Sequence, residues 1–259
     1  MKRYSLFITF VFLCLCMFSQ TVGTGTKIEG ATKEAADKLY GSEKYEAAAK
    51  YYESLITNCG VASELYYNLG NCYYKLDDIP HAILNYERAL LLNPGDTDIR
   101  ENLAIARGKT IDKVTPPSEM FFVSWWHNLV NMMSISEWMW VAVFAFILML
   151  SGVFVYAFFS RLMVRKIGVY SAFVLFFVVL LSNFSACSQR RQLSERSSAI
   201  IISPVVSIKS SPSESSTDLF VIHEGSKVEI LDSSVKGWRE VKFEEGKIGW
   251  LPVESIEVI

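Results

Sequence analysis

Apolar residues run almost unbroken through two stretches of the chain, 138–159 (WMWVAVFAFILMLSGVFVYAFF) and 167–186 (IGVYSAFVLFFVVLLSNFSA). Neither holds an Asp, Glu, Lys, Arg or His. About 20 helical residues at 1.5 Å each cross the hydrocarbon core of a bilayer, where a helix satisfies its own backbone polar groups. A soluble core helix is rarely apolar all round for so long, so the pattern predicts a membrane hairpin. Between the runs, 160–166 carry Arg161, Arg165 and Lys166, whereas 118–137 hold no Lys or Arg. Positive charge in short loops stays cytoplasmic. The loop is therefore expected inside, and both flanking arms on the periplasmic side of the cytoplasmic (inner) membrane. Arg190, Arg191 and Arg196 weaken this asymmetry without reversing it.

A shorter apolar stretch, 6–18, follows Lys2 and Arg3 and leads to Thr21, Val22 and Gly23. Residues 1–23 thus have the shape of a secretory signal peptide, cleaved after the small residues or near Ser19. Leu13 and Leu15 precede Cys14 and Cys16, where a lipoprotein acceptor would want a small residue. Uncleaved, the segment would be a third membrane helix, and the arm after it is exported either way.

Residues 29–108 change to a helical period with internal repetition. At an offset of 34 residues, 36–56 lies on 70–90, aligning Ala36 with Gly70, Ala48 with Ala82, Tyr40 with Tyr74 and Tyr52 with Tyr86. Small residues are needed where paired helices cross closely, and large ones fill the space between. Asp77-Asp78 before Pro80 marks a helix start, and Asn93-Pro94-Gly95 a stop. With Tyr66, Leu69-Gly70, Tyr73, Ala82, Tyr86, Ala89 and Pro94 in place, the second copy resembles a tetratricopeptide repeat. The first copy departs from that pattern at Leu55 and Gly60, and a third, 98–107, supplies one helix. Fewer than three repeats do not easily bury a continuous core, so the third helix or the segment after it is expected to cap the arm. The resemblance implies a concave face lined by first helices, here Tyr67, Asn68, Asn71, Tyr74 and Lys75, open to a peptide or protein partner. Asp98 and Asn102 stand where some members of the family place basic residues that clamp a terminal carboxylate. Ordinary solvated or packing roles are the alternative for all of these residues.

Residues 109–119 (KTIDKVTPPSE) read as a linker, because Pro116-Pro117 stops a helix. Residues 120–137 are amphipathic and rich in tryptophan, expected to lie in the membrane interface or to pack under the repeat arm. From 197 to 259 the pattern turns to short β-type runs at 200–202, 205–209, 219–222, 227–231, 239–243 and 248–251, broken by Pro, Gly, Ser and Asp. Such spacing predicts a small barrel. The run 206–212 (VSIKSSP), Phe220, His223-Glu224-Gly225, Gly237-Trp238 and Gly249-Trp250 resemble a bacterial SH3-like domain. Core packing is the first expectation for Trp238 and Trp250, and a ligand surface at Trp250 the second.

Composition adds mainly exclusions. The net charge of −2 gives no basic excess for nucleic acid. Of five cysteines, Cys14, Cys16 and Cys187 lie in or beside membrane segments, and Cys59 and Cys72 have no redox or metal spacing. His81, His127 and His223 fall in separate segments, and no Gly-x-Ser-x-Gly, His-Glu-x-x-His or phosphate loop occurs. No catalytic residue, metal or cofactor is expected.

The expected fold class is multi-domain: a tetratricopeptide repeat arm, two transmembrane helices and a small SH3-like β-barrel. That order of modules resembles the BatE-type family of the Bacteroides aerotolerance (Bat) group over nearly the whole chain. The resemblance implies a non-enzymatic scaffold or adaptor, partnered by membrane-bound Bat proteins with von Willebrand A-type domains and associated with a MoxR-type ATPase. The rival is a cell-wall module in which the barrel binds peptidoglycan and the repeats are a stalk.

Overall fold

In a computed structural model of the protein, residues 32–112, 120–194, 198–243 and 246–259 are described. The expected signal segment, 1–23, and most of the linker lie outside them.

The N-terminal arm is a stack of antiparallel helices, α1 (Lys33–Gly41), α2 (Tyr45–Cys59), α3 (Ser63–Lys75), α4 (Ile79–Leu92) and α5 (Thr97–Gly108). Their starts are set locally. Thr32 accepts from the Ala35 N–H, Asp78 from the His81 N–H and Asp96 from the Ile99 N–H, so otherwise unpaired helix donors are satisfied. Pro80 falls in the first turn of α4, where its missing N–H costs nothing. The two small residues of the repeat pattern do the expected work. Ala82 is fully buried, and a Cβ on Gly70 would stand 2.7 Å from the Tyr86 ring, which fixes how closely α3 and α4 cross. One core (Ala36, Ala48, Tyr52, Leu55, Leu69, Cys72) joins α1 to α3. A second (Ala82, Ile83, Tyr86, Ile99, Leu103) joins α4 to α5.

Helices α6 (Phe121–Val130), α7 (Ile135–Phe158) and α8 (Leu162–Ser194) follow. Two of them, α7 and α8, are long and apolar enough to cross a membrane. A capping box starts α7: Ser134 accepts from the Glu137 N–H while the Glu137 carboxylate accepts from the Ser134 N–H. The hairpin closes on glycines. A Cβ on Gly152 would meet the Gly168 carbonyl oxygen at 2.8 Å, and one on Gly168 the Gly152 carbonyl oxygen at 2.7 Å. Helix α8 begins at Leu162, so Arg165 and Lys166 stand on its first turns. At its far end α8 runs beyond 186 and meets α6. There Gln189 donates to the carbonyls of Val130 (2.6 Å) and Met133 (2.7 Å), the Trp138 indole donates to Val130 (3.0 Å), and Trp126 sits edge-on to Phe184. These donors satisfy carbonyls that the end of α6 leaves open. The amphipathic segment is therefore packed on the protein along this side. It leans on α8, with Phe121, Phe122 and Trp125 exposed.

The C-terminal arm is an antiparallel sheet of β1 (Ser198–Ile201), β2 (Val205–Lys209), β3 (Asp218–His223), β4 (Lys227–Asp232), β5 (Trp238–Phe243), β6 (Lys247–Pro252) and β7 (Ile256–Val258). Strand order is β3-β2-β6-β5-β4-β1-β7. Ala199, Ile201, Val206, Ile208, Ile222, Val228, Val241, Phe243 and Leu251 form its core. The barrel expected from the spacing is not closed: β3 and β7 are the two ends of the strand order, with no pairing between them among the described residues. The tryptophans also differ from the first expectation. Trp238 and Trp250 are half-buried, and aliphatic residues with Phe243 make the core instead. Strand β7 is short and follows a single turn of 3₁₀-helix, so it is held by its register with β1 (Ile201 opposite Ile256) rather than by a run of its own.

Candidate partner-binding face and the joint behind it

Five residues of the repeat arm are expected to line a concave face, and the structure divides them by role. Asn71 on α3 accepts the Tyr86 hydroxyl at 2.7 Å and the Asn102 amide at 3.1 Å, and the same Asn102 amide donates to the Tyr67 hydroxyl at 2.9 Å. Tyr67 lies 6.0 Å from the Tyr86 ring. One network thus fastens α3, α4 and α5 across the repeat boundary. Asn68 instead faces the Tyr52 hydroxyl, which donates to Asp37. Tyr74 lies under the Lys109 ammonium at 4.4 Å, and Lys109 pairs with Asp77 at 2.9 Å. Lys75 is exposed. The face is therefore polar and aromatic: half-buried Tyr67 is held by the Asn102 amide, and half-buried Tyr74 lies under Lys109. Rigid tyrosines with adaptable amides suit protein recognition, because they give contact area at low entropic cost.

Asp98, at the position of the carboxylate clamp, is exposed, while Asn102 is taken up by Tyr67 and Asn71. Trp250, the other candidate, lies on the outer side of β6, opposite Lys209 of β2 and Glu240 of β5. In the strand order β6 is separated from β1 and β7 by β5 and β4.

The meeting of sheet and repeats is the feature the pattern of the chain did not reveal. Ile200 and Ile259 of the sheet belong to the same core as Ile83, Tyr86 and Leu103 of the helices. Strand β1 thus buries Ala199 and Ile201 on one side and Ile200 on the other. At the centre of the joint Glu87 is only 4% exposed. It pairs with Lys227 of β4 at 2.8 Å and with Arg107 of α5. Burial pushes this carboxyl up, but the two cations outweigh that and hold it below the usual carboxylate range. Nearby, Arg88 donates to Glu257 (2.9 Å) and to the Val258 carbonyl (2.5 Å). Asp112, just past α5, accepts from the His223 N–H (2.7 Å) and the Ser226 hydroxyl (3.0 Å). Burial works against the Asp112 carboxylate, and the His223 and Ser226 hydrogen bonds more than offset it, leaving its pKa lowered. The sheet therefore covers α4 much as a further helix of a longer array would. Helix α5, the expected third helix, packs on α4, and the sheet covers α4 as well, which was not expected of it.

The base of the repeat arm is also tied to the α6–α7 corner. Arg100 donates to the Asn131 carbonyl at 3.1 Å and to the Pro94 carbonyl, and a Cβ on Gly95 would meet the Met132 carbonyl oxygen at 2.6 Å. The Asn93-Pro94-Gly95 turn is thus where the arm rests on the α6–α7 corner.

No His, Cys, Asp or Glu cluster suited to a metal occurs among the described residues. Burial pushes the Cys72 thiol up to about 12, so it is a packing residue rather than a nucleophile.

Residues 63–96, which span α3, α4 and the Asn93-Pro94-Gly95 turn, match the tetratricopeptide repeat family. No curated protein matches the chain. The matched segment contains the whole Tyr67–Asn71–Tyr86 part of the network, and a repeat of this kind supports a role in protein–protein interaction.

Proposed function

We propose that the protein is a non-enzymatic scaffold of the cell envelope, anchored by α7 and α8, that presents its repeat face to another protein. The observation that carries this is the repeat at 63–96, whose braced tyrosines and amides form a polar, aromatic face on an arm resting against the α6–α7 corner. A face fixed at that height suits a partner that is itself in or near the membrane. The two arms are taken to lie on the periplasmic side, in keeping with Arg161, Arg165 and Lys166 at the closed end of the hairpin. Resemblance to the BatE-type family makes membrane-bound Bat proteins with von Willebrand A-type domains the partners of choice. In that reading the C-terminal sheet is SH3-like and stiffens the repeat arm.

A second reading draws on Trp250, whose half-buried ring lies on the outer side of β6. Such a ring suits stacking on a sugar, and the sheet would then bind peptidoglycan. Affinity purification from crosslinked membranes, paired with sedimentation on purified cell wall, separates the two. Stoichiometric recovery of a membrane protein, lost in Tyr67→Ala with Lys75→Ala, supports the scaffold. Retention on cell wall, lost in Trp250→Ala, overturns it in favour of the second reading.

A further inference from the structure

We propose that the closed end of the hairpin is a binding site for one anionic phospholipid headgroup. Tyr156 of α7 and Leu162, Arg165, Lys166, Val169 and Tyr170 of α8 line an open cleft of about 310 Å³ there. The Arg165 guanidinium sits 4.7 Å above the Tyr156 ring. A cation held against an aromatic face keeps its charge while losing freedom, so it is poised for a second, anionic partner. The hairpin itself supplies none, since no Asp or Glu occurs between Glu137 and Glu195. Among the described residues, Arg161, Arg165 and Lys166 make no ion pair. Position selects the ligand. The cleft lies where two apolar spans end, its apolar walls (Leu162, Val169) suit acyl chains, and Tyr156 and Tyr170 occupy the headgroup level that tyrosine favours. Basic clefts between membrane helices at this level match phosphodiester headgroups in charge, each cation adding to the attraction.

The site depends on α7 and α8 lying in a bilayer, and not on which protein the repeats bind. Full-length protein in mild detergent, offered equal phosphatidylglycerol and phosphatidylcholine, is analysed for retained lipid by native mass spectrometry. Wild type is expected to keep phosphatidylglycerol over phosphatidylcholine by about tenfold or more. Arg165→Gln with Lys166→Gln should bring the two lipids within about twofold, as should Tyr156→Leu, which removes the stacking partner but no charge. Millimolar inorganic phosphate should leave the retained lipid in place. Equal retention of both lipids by wild type overturns the proposal, as does an undiminished preference in both variants. Displacement by inorganic phosphate overturns it in favour of a free-anion site. Retention of neither lipid overturns both this site and the membrane reading of the hairpin. A scaffold without a partner would leave every one of these readings unchanged.

Discussion

Glu87 concentrates the energetics of the joint in one side chain. A carboxylate this buried is tolerated only because Lys227 and Arg107 compensate its desolvation. The cations keep part of their surface in water and can rehydrate, while the carboxylate cannot. Losing a cation is therefore worse than losing the acid. Lys227→Met should destabilise the docked arms by roughly 3 kcal/mol, the low end for a broken buried pair because the lysine is partly solvated. Adding Glu87→Gln should recover part of the loss, since the remaining charge, on Arg107, is half in water and can rehydrate. The sign of the pH dependence follows from the lowered carboxyl. Stability from Glu87 is complete above the ordinary glutamate value of about 4.3 and is lost as pH falls through the lower folded value. Asp112, also lowered, acts in the same direction. His81, raised mainly by its hydrogen bond to Asp78, contributes below its ordinary value of about 6.5 and loses this as pH rises through its folded value. Thermal melts of detergent-solubilised wild type should therefore fall steeply at acid pH, and those of the Lys227→Met, Glu87→Gln double variant less steeply. Parallel acid profiles in the two proteins would remove Glu87 as the cause.

At the scale of elements, close helix crossings make the sharpest demands. A Cβ at Gly70 would press on the Tyr86 ring, which Asn71 holds by its hydroxyl and which is only 1% exposed. Gly70→Ala should cost about 1–3 kcal/mol, typical of overpacking, and lower the melting temperature of the repeat arm. In the hairpin the neighbour is backbone, so relaxation means separating the helices. Gly152→Leu should abolish disulfide crosslinking between cysteines placed at Ala145 and Phe176 on the facing spans, if those positions crosslink in the parent; persistence would show a crossing that tolerates bulk. These same crossings explain what was legible in the chain. Gly70, Ala82 and Tyr86 recur because two helices meet there, a local constraint that leaves a periodic trace. The two long apolar helices are legible because each is an unbroken run of apolar residues. Strands β1 to β6 show as short apolar runs, but β7 exists only by pairing with β1, and sheet closure depends on contacts that alternation does not encode. Ile200 and Glu87 left faint signals: an apolar residue on the strand face opposite the core, and an acid on the apolar side of α4. Neither says what lies across from it, because the joint unites residues 140 positions apart in the Lys227–Glu87 bond. The groove asparagines illustrate the converse. Their spacing places them at repeat positions, but whether an amide faces a partner or a neighbouring helix depends on where α5 packs.

For the whole molecule, the joint couples the arms to the topology of the hairpin. Helices α7 and α8 run antiparallel with their glycines in contact, so the chain leaves α8 at the end where it entered α7. The repeat arm rests on the α6–α7 corner through Gly95 and Arg100, and the sheet grips it through Glu87, Arg88 and Asp112. Helices and sheet therefore share one core and must stand at one end of the hairpin. With Arg161, Arg165 and Lys166 at the opposite end, the proposed orientation puts both arms outside. Single cysteines at Ser42 in the α1–α2 turn and Ser213 in the β2–β3 loop, in a protein lacking its other reactive cysteines, test this directly. Both should react with a membrane-impermeant thiol reagent in cells whose outer membrane alone is permeabilised, and a cysteine at Ser160 only after lysis. Protection of both arms with labelling at Ser160 would invert the orientation while leaving the joint intact. Labelling of Ser42 with protection of Ser213 would be the decisive failure, because no folded chain with the Glu87–Lys227 pair can place its arms on opposite sides.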